Sequence, residues 1–288
     1  MSTSELLSKP WPLTGRHEAL DEVCAAIEDG CPAYFLVGEA GTGKTRLARE
    51  VLRRLAEDGW PTAGATATES ARTTPLAALA HLVPSDAIDA PPQLFAATRD
   101  ALAERTGGRP LVLHVDDAQH LDPSSATLLV SLAEADAVRL VITMRSGLRV
   151  PDAMVALRAA DNARSTTLGS LDPMAIDTLL HRVLGGPLDG VAEAQLLEVS
   201  GGNPLYLREL VVGAVADGMP ARWPGCGASR AACRRPRPWA TGSSAASPRW
   251  TTRPETRWSW WPSASRSAWT CSRPWSTPWS SKSSSCAA

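Results

Sequence analysis

Eight consecutive residues, Gly38-Glu39-Ala40-Gly41-Thr42-Gly43-Lys44-Thr45, fit the pattern G-x-x-x-x-G-K-[ST]. These residue types in this order suit the holding of a triphosphate. Glycines let main-chain N–H groups turn inward on phosphate oxygens, where a side chain would block approach. A helix that begins at the loop adds the positive end of its dipole. The Lys44 ammonium would neutralise β- and γ-phosphate charge, and the Thr45 hydroxyl would hold Mg²⁺. A glycine-rich turn with a stray lysine is the plainer alternative, and the flanking sequence argues against it. Ala33-Tyr34-Phe35-Leu36-Val37 is a short apolar run of buried-strand type. After the loop, Leu47, Val51, Leu52 and Leu55 recur at helical spacing, and Gly59 follows where a helix should stop.

A second constellation lies in Leu111-Val112-Leu113-His114-Val115-Asp116-Asp117, with Asp116 71 residues beyond Thr45. A nearly unbroken apolar run suits a parallel strand buried on both faces. Carboxylates at its carboxyl end point into the crevice where such sheets bind ligands. This is a Walker B pattern, in which Asp116 would hold Mg²⁺ through water and Asp117 would orient or deprotonate an attacking water. The alternative is an Asp-Asp turn ahead of the next helix, although Asp122-Pro123-Ser124 already supplies a helix start. His114 reads as a core histidine without a role, and His120 as a candidate behind the site. A third apolar run, Val138 to Thr143, leads into Met144-Arg145-Ser146-Gly147. A charged group just beyond such a strand, here Arg145, would reach a γ-phosphate; a solvated loop arginine is the competing reading.

Other elements must carry these groups. Leu13 to Glu18 opens a helix running to about Asp29, with Leu20, Val23, Ala26 and Ile27 on one face. Thr62 to Thr68 reads as a short strand. Pro75 to Val83, Pro91 to Arg105, Pro123 to Ala135 and Pro151 to Ala160 read as helices, and Arg164 to Leu168 as a strand. Asp172-Pro173 starts a further helix with an N-cap followed by proline. Val191 to Val199 continues the helical pattern. Ser200-Gly201-Gly202-Asn203-Pro204 breaks and restarts it, leaving N–H groups suited to an anion or to a tight turn.

The chain of 288 residues can hold one large or two modest domains. Its charge is uneven. From Ala221 to Ala288 there are eleven Lys or Arg and only one acidic residue, Glu255, whereas eighteen basic and twenty-nine acidic residues precede them. That last segment has no Leu, Ile, Val, Phe or Met, but nine of the eleven Trp, with fifteen Ser and eight Pro. Without branched aliphatics it cannot readily offset the entropy of ordering. Its composition is what GC-rich DNA yields when read out of frame, and a slipped frame near residue 221 is the expectation. A basic tail binding nucleic acid through Arg and stacked Trp, or a Trp-rich partner or membrane-surface segment, are the alternatives. No apolar signal core or membrane span is visible. Six cysteines without CxxC spacing fit a reducing cytoplasm with free thiols.

Taken together, Gly15-Arg16-His17-Glu18, GEAGTGKT, LVLHVDDAQHLD, VITMRS and GGNPLYLREL resemble a known family. They are similar to the N-terminal ATPase of signal-transduction ATPases with numerous domains, within the AAA+-like P-loop class. The resemblance is strongest to large ATP-binding regulators of the LuxR family, over about residues 12–218. It implies an α/β fold with a parallel sheet flanked by helices, in which the strand ending at Thr143 lies between the P-loop and Walker B strands. It implies an ATPase core at 13–170 and a partial helical lid at 171–220, beside the lead-in at 1–12 and the tail at 221–288 that the composition marks off; at that tail the chain departs from the family. Arg145 would sense the γ-phosphate, Arg16 would lie near the adenine, and Asn203-Pro204 would touch the nucleotide from the lid. ATP or ADP with Mg²⁺ are the implied cofactors, with self-association in the ATP state.

The expected function is a weakly hydrolysing, ATP-binding switch. No helix-turn-helix pattern is present, so DNA binding is not expected from this chain alone. An origin-recognition or clamp-loading ATPase acting through the basic tail is the alternative, and a small-molecule kinase finds no acceptor-pocket signal. The chain has neither H-E-x-x-H nor G-x-S-x-G.

Overall fold

The computed structural model describes residues 10–85, 91–186 and 188–216. The expected tail at 221–288 and most of the lead-in lie outside the described residues. The chain divides into two compact units. One spans Gly15–Ser170. Among the described residues, the other joins 10–14 to 171–216.

In the larger unit the elements are α1 (His17–Glu28), β1 (Ala33–Gly38), α2 (Lys44–Glu57), β2 (Thr62–Thr66), α3 (Pro91–Thr106), β3 (Leu111–Asp116), α4 (Pro123–Glu134), β4 (Val138–Arg145), α5 (Asp152–Ala159) and β5 (Arg164–Thr167). The five strands form one parallel sheet in the order β2-β3-β4-β1-β5. Thus β4 lies between β1 and β3, the order that the sequence resemblance implies. Strands β1 and β3 are buried at every residue, which explains their continuous rather than alternating apolar pattern. Phe35, Val37, Leu113, Val115, Leu140 and Ile142 share a core with Leu128, Leu129 and Leu132 of α4 and with Met154 and Leu157 of α5. By the period of two, Tyr34, Leu36, Val112 and Val141 face the other way. Helix α2 packs against β1, β3 and β4, and buries Leu47, Val51, Leu52 and Leu55.

Three sequence expectations need correction. The helix expected over Pro75 to Val83 is only a single 3₁₀ turn, Ala77–Leu79. Leu76 adopts φ 59, which no α-helix accommodates, and its N–H donates to Asp122 Oδ1 at 3.2 Å. Helix α1 starts at His17, not near Leu13, because Gly15 sits at φ 66. Strand β4 does not stop at Thr143. Met144 and Arg145 continue it beside Val37 and Gly38.

The smaller unit holds α6 (Pro173–Leu184), α7 (Gly190–Ser200) and α8 (Pro204–Ala216). Its core is Leu171, Ile176, Leu179, Leu180, Val183, Leu207 and Val211, with Trp11 packed against it. Asp172 caps α6 by accepting the Ala175 N–H at 2.7 Å, with Pro173 in the first turn. The N–H groups expected to be free at the start of α8 are not. Asn203 Oδ1 accepts those of Leu205 and Tyr206 at 3.1 and 3.3 Å.

Two outcomes test this packing. Asp122 is buried and accepts from Ser125 N–H at 2.9 Å as well as from Leu76. Asp122→Ala therefore removes a helix cap and leaves a second buried N–H unpaired, costing about 2–4 kcal/mol in urea unfolding. Cys24 is buried and free, and burial pushes its thiol up to about 11. The reactive thiolate is then scarce below that pH. Native Cys24 should resist alkylation at pH 8, read by peptide mass mapping, and react once the chain is unfolded.

Candidate functional site

The loop Gly38–Thr45 joins β1 to α2. Gly43 lies at φ 93, at the N-cap of α2, with nothing within 4 Å of where a side chain would start. Gly38 is glycine for a different reason. A Cβ there would sit 2.4 Å from the carbonyl oxygen of Leu168, just after β5. Within the loop, the Thr42 hydroxyl and the Lys44 ammonium both donate to the Glu39 carbonyl, at 3.0 and 2.6 Å. Glu39 and Ala40 are exposed, whereas Lys44 is buried. Burial lowers the Lys44 amine from its ordinary value; Asp117 and Asp116 oppose this, and Arg145 adds to it.

The end of β3 meets this loop. Thr45 Oγ1 donates to Asp116 Oδ1 at 2.7 Å, and Thr143 Oγ1 donates to the same oxygen at 2.6 Å. Thr143 also accepts the Asp117 N–H at 3.0 Å. Asp117 takes φ 56 and ψ 48, so the chain turns off the sheet at that residue. Its Oδ1 accepts from Gln119 Nε2 at 2.8 Å and lies 3.8 Å from Arg145 Nε. The structure thus brings Lys44, Thr45, Asp116, Asp117 and Arg145 together. Arg145 is the last residue of β4, where the sequence suggested a loop.

Arg16 lies at the N-cap of α1, and its guanidinium donates to the carbonyl of Gly169. Leu168, next to it, donates its N–H to Val37 at 2.7 Å. The segment after β5 therefore touches both Arg16 and the start of the loop. Pro204 belongs to the other compact unit, at the first position of α8. His120 faces the Glu69 carboxylate at 2.5 Å. His114, given no role from sequence, has Nε2 3.7 Å from Asp116 Oδ1 with no hydrogen-bond partner. Burial pushes it down to about 4, against the pull of Asp116. It is neutral at physiological pH.

Sequence reasoning missed Thr143 and Gln119. Thr143 is a buried polar residue in an apolar strand, a signal in itself. Gln119 stands two residues after the aspartate pair, which offered no such cue.

Among the described residues, no group of three or more His, Cys, Asp or Glu could hold a metal ion alone. The oxygens of Thr45 and Asp116 suit a hard cation that takes its remaining ligands from phosphate and water.

The sequence pattern of the AAA ATPase domain family matches residues 12–143. No curated protein matches the sequence. Among solved structures, the Aeropyrum pernix ORC1 protein, determined in complex with DNA, is similar at a TM-score of 0.55 and 18% identity, covering 77% of this chain and 65% of that one. A DNA replication initiation factor is similar at 0.50 and 15% identity, covering 71% and 62%. This chain therefore spans just under two thirds of either structure. A signal transduction ATPase with numerous domains and a tetratricopeptide repeat sensor, from Pyrococcus horikoshii, matches at a TM-score of 0.44 and 18% identity, covering 70% and 30%. Residues 12–143 thus match the AAA ATPase domain pattern, and the five-stranded parallel sheet flanked by helices is a fold shared with the ORC1 structure.

Thr143→Val tests the geometry without reference to ligand. The near-isosteric change strands the Asp117 N–H and removes a donor to Asp116, so it should cost about 1–3 kcal/mol in urea unfolding.

Proposed function

We propose that this chain is a nucleotide-switch module that binds ATP or ADP with Mg²⁺ and hydrolyses ATP slowly. The observation that carries the proposal is the meeting of the glycine loop with the β3 carboxylates, Thr45 and Thr143 both donating to Asp116. The DnaA protein of Aquifex aeolicus has been determined bound to AMPPCP; for this chain the support is its own loop geometry.

Main-chain N–H groups of Gly38 to Thr45 would bind the phosphates, and the Lys44 ammonium would offset their charge. Thr45 and Asp116 would hold the cation. When bound, Mg²⁺ supplies electrostatic stabilisation of charge on the phosphate oxygens. Asp117 would orient the attacking water, and Arg145, beside it, would report on the γ-phosphate. Arg16 would border the base. The residue spans assigned from sequence, 13–170 for the core and 171–220 for a helical lid, belong to the same proposal.

Within this proposal the module serves a LuxR-like transcriptional regulator and self-associates when ATP is bound. The support is the order and spacing of the sequence motifs. Segment 221–288 reads as out of frame, which the other two frames of the coding DNA test directly. No described helix is long and apolar enough to cross a membrane, and a cytoplasmic setting is proposed. The second reading, a replication-type ATPase, is favoured by the eleven basic residues against one acidic residue in the tail. It requires a strongly salt-dependent DNA affinity that is lost on deleting 221–288.

Lys44→Ala should abolish ATP binding by calorimetry. Asp117→Ala should leave the ATP Kd within about 3-fold while lowering turnover roughly 100-fold or more. Unchanged ATP affinity in Lys44→Ala would remove the site assignment.

A further inference from the structure

Strands β3 and β4 pair in register from Leu111 with Val138 to Val115 with Ile142. Beyond that point the pairing ends, but β4 continues to Arg145 and the other chain runs through Asp116 into Asp117. Two side chains bridge the gap. Thr143 takes the Asp117 N–H and donates to Asp116. Gln119 does the reciprocal work. Its Oε1 accepts the Arg145 N–H at 3.1 Å, and its Nε2 donates to Asp117 Oδ1 at 2.8 Å. The orientation of the amide follows from its partners, one a donor and the other an acceptor; flipping it would mismatch both.

Gln119 is 2% exposed, whereas the side chains of Asp117 and Arg145 are 35% and 46% exposed. An ion pair that open, at 3.8 Å, does little to fix the carboxylate. The shorter bond from the buried amide holds it more firmly. The same amide anchors the main chain from which the Arg145 side chain departs.

We propose that Gln119 is a positioning residue that sets the direction of the Asp117 carboxylate and ties it to the end of β4. This rests on the reading of Asp117 as the water-orienting group. A carboxylate able to rotate away from the reacting water loses the orientation on which turnover depends, while phosphate binding by the glycine loop is left intact.

The test uses the full chain with Gln119→Met, which keeps the packing and loses both hydrogen bonds, and Gln119→Glu at pH 8. The glutamate keeps the acceptor for Arg145 but sets a second carboxylate against Asp117. ATP Kd, single-turnover hydrolysis and amide hydrogen exchange at Arg145 are measured. Both variants should lose about 10- to 100-fold in turnover with Kd within about 3-fold of the parent. Exchange at Arg145 should quicken in Gln119→Met and stay slow in Gln119→Glu. In an Asp117→Ala background, Gln119→Met should add no further loss of turnover, because it acts through the missing carboxylate.

Parent-level turnover in Gln119→Glu overturns the inference, as does an equal fall in affinity and turnover, which marks a merely structural role. Should Gln119→Met fail to fold, Gln119→Glu decides alone. A parent that binds no ATP removes the nucleotide-switch reading and the inference together. A parent that binds ATP without turning it over removes the role given to Asp117, and Gln119 with it.

Discussion

One carboxylate oxygen, Oδ1 of Asp116, is the point on which the site depends. It accepts hydroxyl hydrogens from Thr45 at the start of α2 and from Thr143 inside β4, while belonging to the end of β3. Three elements that are distant in sequence are thereby fixed to one buried atom. A charge held away from water needs such partners to be tolerated at all. In the proposed function, the oxygens of Thr45 and Asp116 mark where a cation would be held. Placing the loop lysine and the second aspartate follows from that convergence, since each sits one residue from an anchored threonine or aspartate.

The sheet explains why the convergence occurs at this edge. All five strands are parallel, so their carboxyl ends open on one side, and helices join each to the next. With β4 between β1 and β3, the strand carrying the glycine loop and the strand carrying the aspartates are separated by a single strand. That intervening strand supplies Thr143, whose side chain reaches β3's end. Its Met144 and Arg145 stay paired with β1 after β3 has turned away. The end of β4 is therefore held by main-chain hydrogen bonds on its β1 side and by side-chain hydrogen bonds on its β3 side.

Much of this was legible in the chain itself. The apolar runs at Ala33 to Val37 and Leu111 to Val115 read as strands covered on both faces, and the glycine loop as a strand-to-helix junction, and the structure has both. Local pattern failed where a distant partner intervened. The stretch from Pro75 to Val83 has helical spacing, but Asp122, 46 residues away, captures the Leu76 N–H and holds it in a left-handed turn. The extension of β4 to Arg145 depends on pairing with Gly38, which no window around Arg145 contains. Gln119 escapes notice in the sequence because its importance lies in two bonds made across a gap between strands. Thr143, a polar residue within an apolar run, is visible there, but the strand it belongs to draws attention away from its hydroxyl.

The glycines of the loop carry unequal information about ancestry and decay. Gly38 is imposed by the carbonyl of Leu168, which leaves no room for a methyl group whether or not a ligand ever arrives. A descendant without the proposed phosphate binding would still be held to glycine there by the segment after β5. Gly43 has open space around it, and its constraint comes from its left-handed backbone angle, which the proposed phosphate cradle would require. Drift at position 43 with retention at 38 would therefore be the mark of a lineage that kept the architecture after abandoning the chemistry.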